Sequence, residues 1–146
     1  MSISDNEQLA VDHLNLTWNK GEFSSLRGLV TPGFYYQTTF TDDILNLEQY
    51  IEFAEAFREA IPELSVVIEE TMVNGDRVMS HTSFSGVIEK PIYRIPASEH
   101  IIAFPAVSFW EVRRGKIANL STLIDITGIS RQVGIAISPE LTLKQA

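Results

Sequence analysis

The sequence predicts an α+β fold: a curved antiparallel sheet wrapped around N-terminal helices. Three observations carry this. Apolar residues recur at helical spacing before Pro62. After Pro62 come four β-rich runs, "ELSVVIEETMV", "RVMSHTSFSGVI", "HIIAFPAVSFWEV" and "KIANLSTLIDIT". Turn signals separate them: Asn74-Gly75-Asp76, the Pro91–Pro96 region and Arg114-Gly115.

Each element follows from local chemistry. Asp5 is a candidate cap for a first helix running to about Lys20, where Gly21 permits a left-handed exit. "EFSSLRGLV" reads as a short second helix, and "FYYQTTF" as a short strand. Asn46, with Gln49 three residues on, resembles a capping box. Tyr50, Phe53, Ala54, Phe57 and Ile61 then line one helical face, and Pro62 ends that helix. "VRRGK" suits a three-residue loop with Gly115 left-handed and a bulge beside it, pairing Val112 with Lys116. Residues after Gly128 read as one helical turn and a polar tail.

Size and charge narrow the function. The 146 residues are read as one domain, 1–146, burying roughly two-thirds of the unfolded surface. A net charge of −8 argues against a grip on nucleic acid or an anionic membrane. The absence of cysteine excludes disulfides and thiolate chemistry. No signal-peptide pattern or long apolar run is visible, so a cytoplasmic protein is expected. His13, His81 and His100 share no ligand spacing, so no metal site is expected.

One residue is out of place. Asp125 sits among Leu123, Ile124 and Ile126 in a strand that reads as covered on both faces. A carboxylate there either caps the backbone of "TGISRQ" or does acid/base work. Alternation along the last hairpin puts Val107, Phe109 and Glu111 on one face with Asn119, Ser121, Leu123 and Asp125. Trp110, Val112, Ala118, Leu120, Thr122 and Ile124 share the other. The mixed face has the apolar walls and few polar groups of a small-molecule pocket. On this reading Trp110 points away from the pocket, toward a dimer contact. His13 and His100, lacking any organising pattern, are expected at the surface.

"NLEQYIEFAEAFREAIPELSVVIEETMVNGDRV", "FSG" and "VSFWEVRRGKIANLSTLIDITGISRQVG" together resemble the SnoaL-like polyketide cyclases, of the nuclear-transport-factor-2-like superfamily. The likeness covers about residues 5 to 134. It implies a cone-shaped α+β barrel, a homodimer, and a pocket between sheet and helices. It also implies a cofactor-independent aldol ring closure, with Asp125 as general acid/base. The chain departs from the family pattern at Gln37, His81, Glu111, Ser121 and Gly86-Val87-Ile88.

The expected activity is thus a cofactor-independent cyclase or isomerase of a small apolar carbonyl compound, polyketide-like or terpenoid-like. Its catalytic candidates are Asp125, His81 and Glu111. Its substrate-binding candidates are Tyr36, Phe53, Phe57, Phe109, Asn119, Ser121 and Trp18. Two close carboxylates, Asp125 and Glu111, would raise each other's pKa. An epoxide hydrolase, a cofactor-free hydroxylase and a non-catalytic dimeric binding module are the alternatives.

Overall fold

A computed structural model describes residues 4–134. Helix α1 (Asp5–Leu14) is capped by Ser4, whose hydroxyl accepts the Glu7 N–H at 3.1 Å. The cap is therefore one residue earlier than Asp5. The chain then widens into a π-helical stretch, Asn15–Lys20, closed by Gly21 at φ 67°. A 3₁₀ segment follows at Phe23–Gly28. Helix α2 (Leu47–Ala60) carries the expected capping box, with both Asn46–Gln49 hydrogen bonds at 2.9 Å. Helix α3 (Ile126–Val133) starts directly after the last strand, earlier than the sequence suggested.

The strands are β1 (Val30–Thr38), β2 (Thr41–Leu45), β3 (Ser65–Asn74), β4 (Arg77–Gly86), β5 (Ile102–Arg113) and β6 (Lys116–Ile124). They form one curved, unclosed sheet in the order β2-β1-β6-β5-β4-β3. The sheet is not wholly antiparallel, because β1 pairs with β6 in parallel. The β2 strand, "TDDIL", has no apolar alternation and was not legible.

The last hairpin differs from expectation in an instructive way. Its loop has two residues, Arg114 at φ 52° and Gly115 at φ 77°, and Arg113 pairs with Lys116. Two left-handed residues make the type I′ turn that matches strand twist. The shorter loop alone would reverse the faces. A bulge at Ala118 restores them: Val112 pairs with Ile117, but Glu111 pairs with Asn119 and Phe109 with Ser121. The expected grouping of Glu111, Phe109, Asn119 and Ser121 therefore survives a wrong turn type.

Which face is inside is the larger correction. Burial alternates along β4 and β5, and the buried set contains Val78, Ser80, Thr82, Phe84, Phe104, Ala106, Ser108 and Trp110. The apolar members, Val78, Phe84, Phe104, Ala106 and Trp110, pack with Ala10, Leu14, Trp18, Tyr50, Phe53 and Phe57 from the helical side in one core. The mixed face points outward. An antiparallel sheet can leave one face to water, and a solvated face mixes polar and apolar residues much as a pocket does.

Trp110 is consequently core, 2% exposed, rather than a dimer contact. His13 is fully buried rather than superficial. It lies on the core-facing side of α1, stacked on Tyr50 at 5.6 Å and edge-on to Trp110 at 6.4 Å. Neither ring nitrogen of His13 has a hydrogen-bond partner among the described residues.

Burial lowers the His13 pKa to about 4, so the ring is neutral at pH 7. The unfolded chain protonates it near 6.5 and takes up more protons than the folded chain between those values. Stability is fully present above about pH 6.5 and falls as the pH drops toward 4, by up to about 3 kcal/mol. Urea unfolding of wild type and His13→Leu at pH 7 and pH 4.5 checks this. The variant is expected to lose several-fold less stability between the two pH values.

Candidate functional site

Two concavities occupy opposite faces of the sheet. The inner one is lined by Trp18, Tyr36, Phe53, Phe57, Phe84, Phe104, Thr122 and Ile124. The periodicity of α2 places Phe53 and Phe57 there, one turn apart on its apolar face. The π-helical stretch presents Trp18, whose ring meets Phe53, Phe57 and Phe84 edge-on at 6.2, 6.2 and 5.4 Å. The Arg58 guanidinium donates to the Trp18 carbonyl and ties that stretch to α2. Packed this way, the free space is only about 10 Å³, no more than a single water.

Hydroxyls are prominent among the polar groups in and around this cavity. Burial pushes the Tyr36 hydroxyl up to about 12, against a smaller opposing effect of hydrogen bonds with Thr122 and Thr38. Tyr36 is therefore a protonated donor at any ordinary pH. Ser108 and Thr122 share a hydrogen bond of 3.0 Å across β5 and β6. Ser80 keeps a buried hydroxyl with no partner among the described residues. Of the sequence candidates, Trp18, Tyr36, Phe53 and Phe57 meet here. Tyr35, the neighbour of Tyr36, faces outward and is 40% exposed.

The outer concavity is larger, about 430 Å³, and is lined by Met72, Val73, Met79, Phe109, Glu111, Asn119 and Ser121 among others. Three expected substrate contacts, Phe109, Asn119 and Ser121, belong to it and not to the interior. Glu111 also lies here, accepting from Asn119 Nδ2 at 2.7 Å and Arg113 at 3.2 Å. Those two hydrogen bonds hold its carboxyl below the usual carboxylate range. That is opposite to the shift a carboxylate pair would give. His81 pairs with Val107 and alternates with the buried Ser80 and Thr82, so it is on the outer face too. His81 and Glu111 do not share the interior, and the expected catalytic cluster does not form.

Asp125 is exposed at the end of β6 and is the N-cap of α3. Its Oδ1 accepts the Gly128 N–H at 2.9 Å. A Cβ at position 128 would run into that carboxylate, so Gly128 leaves the cap its room. Two ties the sequence reading missed fix this corner. Thr39 Oγ1 accepts the Ile124 N–H at 2.9 Å. The Gln132 amide reaches back to β5, accepting from Ala103 N at 2.8 Å and donating to Ala103 O at 2.6 Å. The glutamine of "GISRQVG" thus docks α3, a role no local pattern announces. Ile124, just before Asp125, lines the inner cavity.

Among the described residues, no group of three or more His, Asp or Glu stands close enough to hold a metal ion. No helix there is long and apolar enough to cross a membrane.

Solved structures share this architecture. A protein from Jannaschia sp. CCS1 assigned to the SnoaL-like polyketide cyclases aligns with a TM-score of 0.81 at 22% identity, covering 94% of this chain and 99% of that one. TsrD from Streptomyces laurentii aligns at 0.79 and 22% identity, covering 93% and 99%. AclR from Streptomyces galilaeus, assigned as a hydroxylase, aligns at 0.77 and 15% identity, covering 91% and 98%. At these identities the likeness establishes the fold. The family model of the SnoaL-like polyketide cyclases matches residues 8–133, and the chain belongs to that family. Comparison with curated proteins gives no match.

The cap and any chemical role of Asp125 are separable. Asn caps a helix as well as Asp does, whereas Ala does not. Asp125→Asn is expected to unfold within a few tenths of a kcal/mol of wild type, and Asp125→Ala about 1 kcal/mol below it, by thermal denaturation.

Proposed function

We propose that the protein is a cofactor-independent cyclase or isomerase of a small, apolar, ring-forming carbonyl compound held in the inner cavity. The observation that carries this is the placement of Asp125 directly after Ile124, a residue of the cavity wall, in a corner fixed by Thr39 and Gln132. Only Oδ1 is engaged by the cap; Oδ2 takes no hydrogen bond among the described residues.

The chemistry needs little else. Asp125 removes the proton from a carbon beside the substrate carbonyl. The enolate oxygen is stabilised by a hydroxyl donor, for which the buried Tyr36 is suited. The enolate carbon attacks a second carbonyl, and the proton returns to the new alkoxide. An isomerase would return it to carbon instead. Placed proton transfer contributes about 10²–10⁴-fold, and holding a flexible chain folded between apolar walls contributes more.

α-Proton exchange of 2-tetralone in D₂O, followed by NMR, tests the reading. Wild type is expected to accelerate exchange, and Asp125→Asn to lose at least a hundred-fold of that acceleration with its fold intact. A variant that keeps full acceleration removes Asp125 from the chemistry. One observation favours a second reading, a non-catalytic binder: Asp125 is exposed, and no carboxylate or imidazole lines the inner cavity. On that reading 2-tetralone binds without exchange.

We also infer a homodimer built on the outer face. Val67, Met72, Phe109 and Leu123 are 52%, 56%, 44% and 53% exposed there, and the depression lined by Met72 and Phe109 carries both Glu111 and Arg77, charges of opposite sign for a face that pairs with itself. Phe109→Glu is expected to sediment as a monomer where wild type sediments as a dimer.

A further inference from the structure

The inner cavity has almost no free volume, so a ligand can enter only if part of its wall moves. The segment joining β4 to β5 shows which part. Its stem is fixed. The Ile88 N–H donates to Ser98 Oγ at 2.9 Å, and the Ser98 N–H donates to the Ile88 carbonyl at 2.8 Å. The Glu89 N–H donates to the Ala60 carbonyl at 2.6 Å. Ile88, Ile92 and Ile95 are buried. Between Ile92 and Ile95 the chain makes a two-residue turn, closed by two backbone hydrogen bonds of 2.8 Å.

Tyr93 and Arg94 form the tip, at φ 45° and 70°. Successive left-handed residues without a glycine are costly, and such conformations gather at ligand clamps and switch regions. The Tyr93 ring, 41% exposed, lies against the aromatic wall. It is near-parallel to Phe57 at 5.9 Å and tilted over Phe53 at 5.5 Å and Phe40 at 5.6 Å. Phe53 and Phe57 are themselves cavity-lining residues. Tyr93 therefore stands where the cavity wall meets solvent. It is held there by ring contacts and carried on a turn whose stem stays put.

We propose that Tyr93 is the gate of the inner cavity and a determinant of what it admits. Rotating this side chain outward uncovers the faces of Phe53 and Phe57, and a planar unsaturated ring takes the place the tyrosine ring vacates. A planar ring system fits best, because the rim is built of aromatic faces on which a ring stacks. This inference rests on the inner cavity being the ligand site.

Stopped-flow uptake of 1-aminoanthracene, a neutral planar fluorophore, tests it. In wild type the observed rate is expected to level off with probe concentration as gate opening becomes limiting. Tyr93→Ala and Tyr93→Leu are expected to take up the probe at least ten-fold faster, without levelling off, and Tyr93→Phe to behave as wild type. Two variants that lack the ring guard against one that fails to fold. Uptake at the wild-type rate by either folded variant overturns the gate while leaving the cavity reading in place. No uptake by wild type or by any folded variant overturns the cavity reading and the gate with it.

Discussion

The insertion of one aromatic helix face into the hollow of the sheet is the constraint on which the other features depend. Tyr50, Phe53 and Phe57 of α2 are almost fully buried, and their rings contact Tyr36, Phe34, Phe40 and Trp18. Burying each such ring contributes on the order of 2–3 kcal/mol. This packing decides which sheet face is interior. It commits Ser80, Thr82, Ser108 and Thr122 to a hydroxyl-bearing floor and sends Glu111, Asn119, Ser121 and His81 outward. It also nearly fills the inner cavity, leaving about 10 Å³ of free space.

Much of this was legible in the sequence because it is written in short-range patterns. The Asn46–Gln49 box, the spacing of Phe53 and Phe57, and the stop at Pro62 each depend on a few neighbouring residues. So does the grouping of hairpin residues by face. Alternation assigned that grouping correctly even though the loop was read as three residues, because the bulge at Ala118 offsets the shorter turn. Polarity did not tell inside from outside. Glu111, Asn119 and Ser121 among apolar neighbours describe a solvated sheet face as well as they describe a pocket. Only the position of α2 against the sheet distinguishes the two.

The remaining misses share a cause. His13 is buried by the faces of Tyr50 and Trp110, residues distant in sequence, and nothing near it marks that fate. Thr39 and Gln132 act on strands they do not belong to. Asp125 is the opposite case. It was conspicuous as a carboxylate in an apolar strand, yet that strand ends at Ile124, and Asp125 begins a helix. Its local surroundings explain why it is tolerated there. What the structure itself assigns to Asp125 is the cap.

The proposed function requires that ligand occupy the inner aromatic cavity and not the larger outer depression. Methyl NMR separates the two faces, because Thr122 and Ile124 border the first while Met72 and Met79 border the second. In a titration with 2-tetralone, the Thr122 and Ile124 methyl signals are expected to shift in step with saturation while those of Met72 and Met79 stay fixed. Saturable shifts confined to Met72 and Met79 would contradict the claim and move the functional site to the outside of the sheet.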